Sequence, residues 1–292
     1  MDAVETALAW SSVRFADAAK ALWAAYAALA LPFALFAAVG LIVRGRGALT
    51  VARRAWPASR TTLVLIAANL ALAGPIVALA ASAINWAAAA APGRLIAPEF
   101  WAGLPLWASA ACALVIGDFV GYWRHRLEHS APLWPSHAIH HSDATMTWLT
   151  LERFHPINIA TTYAIDTAAL AALGFPLEVI IINGLVRHWY GYWIHADLPW
   201  TYGPLGRVFV SPAMHRWHHA GDPSAYGTNF ATLLSIWDQM FSTYRVPGPC
   251  TAPLGVEGLS HAGPGGQLLH PLRPSSYRTF TRAASVEPSA QG

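Results

Sequence analysis

The chain carries thirteen histidines in 292 residues, but the count says less than the offsets between eight of them. In the run from Tyr122 to His129, His125 and His129 stand four apart. In His137-Ala-Ile-His140-His141, and again in His215-Arg-Trp-His218-His219, three imidazoles stand at i, i+3 and i+4. On a helix those offsets put side chains on one face within a turn of each other, so a triplet can give two nitrogens to one ion and the third to its neighbour. A lone histidine is an ordinary polar side chain, and one HxxxH pair arises readily by chance. Two HxxHH copies with an HxxxH are different, because eight neutral imidazoles crowded together without a cation would leave buried nitrogens unpaired, at about 1–3 kcal/mol each. The pattern points to metal binding, with enough nitrogens for two ions that keep open positions. Ligand type does not choose the metal, since imidazole accepts Zn, Cu, Fe and Ni alike. Cys112 and Cys250 form neither a Cys-type zinc site nor a disulfide framework, and no HExxH is present.

The elements that must carry these boxes are written in the composition. With 55% hydrophobic and 11% charged residues, a mean hydropathy of +0.38 and 14 Trp, the chain falls in the membrane class. Three runs are long and apolar enough to span: Ala21–Val43, Thr61–Trp86 and Phe100–Trp123. A fourth, Ile157–Ile194, is too long for one span and is broken at Gly174-Phe175-Pro176. It reads as two short helices that leave and return, with a partly inserted hairpin as the other possibility. Met1-Asp-Ala-Val-Glu5 lacks the positive segment of a cleavable signal, so the first run is expected to stay in the mature protein.

Arg44, Arg46, Arg53, Arg54 and Arg60 place the first loop in the cytoplasm by the positive-inside rule. Counting spans then puts every histidine box on that side. The expected fold is all-α: a multi-pass membrane helical bundle with a cytoplasmic histidine-rich helical cap. Its domain is residues 1–245, with the boxes in 118–244, followed by a Pro/Gly/Ser-rich tail over 246–292 that frays after about Thr281. Thr228–Tyr244 reads as a short amphipathic helix. Nothing in the scattered arginines suggests nucleic acid.

From Asp118 to Tyr244 the chain resembles the fatty acid hydroxylase / sterol desaturase superfamily of integral membrane non-haem diiron enzymes. The resemblance rests on Asp118–Tyr122–His125-Arg126–His129, Leu133-Trp134 with His137, His140, His141 and Ser142, Arg153-Phe-His155-Pro156, Met214-His215-Arg-Trp-His218-His219, and Trp237-Asp238-Gln-Met-Phe241. It implies nine ligands: His125, His129, His137, His140, His141, His195, His215, His218 and His219. It also implies two Fe ions as cofactor, dioxygen as co-substrate and hydroxylation or desaturation of a lipid-like substrate. A separate electron donor, a reductase with a ferredoxin or cytochrome b5 type carrier, follows, since no haem or iron–sulfur segment is present. Two positions depart from the family pattern, Asp197 where an Asn is usual and Ala231 where a Gly is usual.

Metal-bound imidazoles usually hand their other N–H to a carboxylate, carbonyl or water. Asp118, Asp143, Asp197, Asp222 and Asp238 lie near the boxes and are candidates for that support, as are His155 and Asn229. Asp118 is two turns before His125 on the same helix face. His188, seven before His195, either lines the cavity or is an interfacial polar residue, while His261 and His270 read as solvated. Two other classes use the same histidines: a membrane metal transporter, with ligands spread along a crossing path, and a zinc-dependent membrane hydrolase, which needs Glu128 or Glu152 as its base.

Overall fold

The computed structural model describes residues 17–90 and 95–277, with the side chains of these apart from 74–77 and 79–90. Arg94, the first residues and the tail beyond Thr281 lie outside them. The described chain is helical, with no strand and two isolated bridges, Phe209 with Leu234 and Ala220 with Leu254.

Two described helices are long and apolar enough to cross a membrane, Asp17–Arg44 and Leu106–Glu128. The first turns back through Gly45, whose φ of 54° suits a residue without Cβ and whose N–H donates to Leu41 O at 2.8 Å. The return helix, Gly47–Ala90, contains the expected Thr61–Trp86 run and continues through Pro57 and Pro75. At 44 residues it is about 66 Å long, twice the ~30 Å thickness of a hydrocarbon core. The expected Phe100–Trp123 run is shifted: Gly103 and Pro105 end a short turn, and the helix starts at Leu106 and carries His125 in its last turn.

The break at Gly174-Phe175-Pro176 is present. Pro156–Ala172 is one helical run and Leu177–His195 the next, with Gly174 at φ 78° and packed so closely on Ile96 O that a Cβ would clash. A π-helical turn at Tyr163–Thr167 interrupts the first run. It directs Asp166 between Arg124 (2.8 Å) and Arg187 (2.9 Å). Arg187 reaches that position because helix Leu106–Glu128 offers Gly121 there, where any Cβ would overlap the guanidinium.

The amphipathic helix expected over Thr228–Tyr244 is corrected to a single turn, Ile236–Met240. Its apolar residues do recur at helical spacing, but two buried carboxylates take the backbone N–H groups a helix would need. Asp238 accepts from Phe230 N (2.7 Å) and Ala231 N (2.9 Å), and Asp118 from Leu233 N (2.9 Å) and Leu234 N (2.8 Å). Asn229, at φ 60°, turns the chain into this loop.

Beyond Val246 the chain folds back over the box helices. Leu259 packs with Leu65, Ala138 and Ile139, and the buried Gln267 amide donates to Ala262 O at 3.0 Å.

Candidate metal centre

Nine histidines meet at the ends of four helices. His125 lies in the last turn of Leu106–Glu128 and His129 caps it. Helix Trp134–His141, started by Pro135, carries His137, His140 and His141. His195 ends Leu177–His195. His215 and His218 lie on Pro212–His218, which His219 caps and which Ser211 starts by accepting Met214 N at 3.1 Å. Most of these imidazoles fall in a last turn or C-cap, where the helix dipole presents its negative end and favours a cation.

The rings divide into two groups, each with its ligand atoms within 4.8 Å of one another. One holds His125, His129, His137, His141 and His218; the other holds His140, His195, His215 and His219. Eight of the nine are buried and His129 is half-buried. The set is the nine named from the sequence; His188 lies apart, half exposed and 3.1 Å from Glu152 Oε1.

Backbone carbonyls orient the rings. His125 Nδ1 meets Phe230 O at 2.7 Å, His218 Nδ1 meets Thr228 O at 2.8 Å, and His195 Nδ1 meets Gly191 O at 2.7 Å. A carbonyl only accepts, so each of these Nδ1 atoms carries the proton and each neutral ring turns a bare Nε2 lone pair inward. His125 Nε2 and His218 Nε2 are 3.0 Å apart. Two lone pairs at that distance repel unless a cation lies beside them. Protons are a poor choice, because burial pushes His218 down to about 4. Burial, followed by neighbouring imidazoles, likewise holds His129, His137, His140, His141, His215 and His219 below the ordinary histidine range. His140 Nδ1, His141 Nε2, His215 Nδ1 and both nitrogens of His219 are buried without a partner. Orphaned nitrogens, facing lone pairs and suppressed protonation together fit a site that could hold two metal ions.

None of the proposed supporting side chains hydrogen-bonds one of the nine rings. Asp118 and Asp238 act one step further out, holding the loop that brings Phe230 O to His125. Asn229 clamps the same loop through Met214 O and Arg245 O. Asp143 bonds Met146 N and Thr150 Oγ1, His155 caps the helix at Ile157 N, Asp197 pairs with Arg44 and Arg216, and Asp222 caps Ser224 N.

Other side chains touch the rings directly. Asn158 Nδ2 is 3.3 Å from His137 Nδ1 and Glu128 Oε2 is 3.5 Å from the same atom. Phe154 stacks on His140 at 4.8 Å, and Phe230 packs against His125, His129 and His218. Glu128 had one signal, a charge beside a box that its apolar helix could not leave unpaired. The carbonyl partners had none.

Residues 110–243 match the fatty acid hydroxylase family, as the histidine boxes implied. Ornithine lipid hydroxylase OlsE of Rhizobium tropici is 34% identical over 177 residues, which cover 60% of this chain and 53% of that protein. Alkylglycerol monooxygenase of Homo sapiens is 30% identical over 145 residues, covering 49% of this chain and 31% of the relative. Methylsterol monooxygenase 2-2 of Arabidopsis thaliana is 28% identical over 152 residues, covering 48% and 55%. The chain spans about half or less of the length of these relatives. No solved structure matches.

Proposed function

We propose, with the fatty acid hydroxylase family match of residues 110–243 as premise, that the chain is a non-haem diiron oxidoreductase that uses dioxygen to hydroxylate or desaturate a membrane-dissolved, lipid-like substrate. The observation that carries the reading is the 3.0 Å approach of two unprotonated nitrogens, His125 Nε2 and His218 Nε2, within a group of five imidazoles that adjoins a group of four. In this reading His125, His129, His137, His141 and His218 hold one iron, and His140, His195, His215 and His219 the other. Iron bound there supplies the activation of dioxygen and the oxidation of an unactivated C–H bond.

The chain's own part is to position and to exclude water. Phe230 O, Thr228 O and Gly191 O fix three ring orientations, so Nε2 needs no rearrangement when the ions bind. Phe154, Phe230 and Trp134 wall the rings with aromatic carbon, which limits water at the reacting centre. We place the site at the cytoplasmic face of a multi-pass bundle formed by the apolar helices, with electrons arriving from a separate donor protein and substrate from the bilayer.

A transporter would string its ligands along a crossing path, whereas these nine form two adjacent groups. A zinc hydrolase would need a carboxylate free to act as base. Glu128 is locked by Arg124 and Thr161, and Glu152 by His188 and Tyr192.

The test is metal analysis of the detergent-purified protein with an oxygen electrode. About two irons per chain, and oxygen uptake that requires both reductant and lipid, are expected. Zinc as the bound metal, or uptake indifferent to lipid, overturns the assignment.

A further inference from the structure

A cavity of about 760 Å³ lies between the two helices of the first hairpin and the segments 147–149 and 196–198, the last of which directly follows His195. It falls in the size range of pockets that bury a small molecule. Its wall is largely apolar, including Phe33, Ala37, Leu41, Ala52 and Trp56, and several of these are more than half exposed, so the cavity opens sideways to the surroundings of the hairpin. Lining residues run from Tyr26 to Arg44 along the first helix, about 27 Å at 1.5 Å per residue. That is longer than the roughly 15 Å of hydrocarbon in one leaflet, so an acyl chain drawn from the bilayer has room to lie along it.

The two ends differ. At one, Tyr26 Oη donates to Leu63 O at 2.9 Å and ties the helices together. At the other, Arg44 meets Asp197, with Nη2 2.7 Å from Asp197 O and 2.8 Å from Asp197 Oδ2. Asp197 Oδ1 is 3.1 Å from Arg216 Nη1. Two guanidiniums share one carboxylate, so this end keeps a net positive charge. Arg44 Nε and Nη1 take no bond among the described residues and remain able to donate.

The charged end is also the end nearest the candidate metals. Asp197 is two residues after His195, within about 7.6 Å of it along the backbone. Arg216 directly follows His215, and His195 Nε2 and His215 Nε2 are 2.9 Å apart in the group of four.

We propose that this slot binds a single-chain amphiphile with an anionic headgroup, its tail along the first hairpin and its headgroup at Arg44. The carbons nearest the headgroup then lie closest to the four-histidine group. The assignment rests on the lipid-oxidation reading and narrows it to substrates altered near the head rather than at the far end of the tail.

The experiment is photolabelling of the purified, metal-loaded protein with a fatty acid bearing a diazirine in its tail, against the fatty alcohol of the same length. Peptide mapping locates the label, and iron content and melting temperature are measured on the same samples. Wild type should be labelled in residues 26–63, more strongly by the acid. Arg44→Gln should weaken acid labelling about tenfold and leave the alcohol unchanged, the loss expected for one charge-assisted hydrogen bond. Ala37→Trp with Ala52→Trp should remove labelling by both, while Ala38→Trp, outside the slot, should not. Equal labelling by acid and alcohol in wild type and Arg44→Gln, or labelling that survives the filled slot, overturns the proposal and marks annular lipid only. Labelling needs no turnover, so a protein that labels as expected but holds no iron fails the oxygenase reading and keeps the slot. One that holds iron and consumes oxygen but labels indifferently does the reverse.

Discussion

Glu128 Oε2 lies 3.5 Å from His137 Nδ1 and 2.6 Å from Arg124 Nη1, and both Glu128 and His137 are almost wholly buried. Thr161 donates to the other carboxylate oxygen at 2.6 Å. The carboxylate therefore has two fixed partners and one face left for the imidazole. With His137 Nε2 turned to an ion, its Nδ1 carries the proton 3.5 Å from this carboxylate, whose charge raises ligand basicity.

Glu128→Gln is expected to weaken iron binding about 10- to 100-fold, the usual cost of losing such a support. Competition with a chelator of known affinity measures it. Unchanged retention would show that Glu128 does not support His137 as a ligand.

His218→Ala removes a nitrogen from the group of five, and His140→Ala one from the group of four. On the proposed diiron reading, in which both ions are needed for turnover, each should leave about one iron or less per chain and abolish activity. Metal analysis paired with oxygen uptake reads both outcomes, and full activity in either variant would contradict the assignment.

Asp118→Asn keeps the shape and removes the charge. An amide offers one oxygen where the carboxylate receives Leu233 N, Leu234 N and Trp237 Nε1, and it leaves Arg187 with one fewer counter-ion. A loss of about 3 kcal/mol is expected, the range for breaking a buried charged network, read as a lower melting temperature in detergent. Iron loading should fall with it, since the released loop carries Phe230 O.

Acid should destabilise the metal-free protein. Unfolded histidines protonate near 6.5, while burial keeps His218 neutral until about 4 and holds its neighbours low as well. Between those values the unfolded chain binds more protons, so stability is full above about 6.5 and declines as pH falls. Asp238 works in the opposite sense: burial raises its carboxyl to about 6, which trims stability as pH rises from 3.8. The imidazoles outnumber carboxyls of this kind, which leaves the acid side weaker, and melting curves from pH 7.5 to 5 should show it.

The metal-binding pattern was legible because offsets of three and four survive translation into a helix face whatever surrounds it. His195 stands alone in sequence and joined the set only through family resemblance. Support for the rings was misread for a definite reason: Asp118, Asp143, Asp197, Asp222 and Asp238 are near the boxes along the chain, yet three of the rings are oriented by main-chain oxygens that every residue owns. The loop after Thr228 was misread because Phe230, Leu234, Trp237 and Phe241 repeat as a helix would. Nothing local reveals that Asp118, more than a hundred residues away, claims the N–H groups of Leu233 and Leu234.

Four helices ending on one point have a consequence for biogenesis. Their terminal peptide dipoles all turn the same pole inward, so a freshly made cap without ions is held apart by its own backbone as well as by crowded lone pairs. On the diiron reading, iron supply governs how much of this protein survives the cell's proteases, and scarcity should lower its abundance before it lowers the specific activity of what remains.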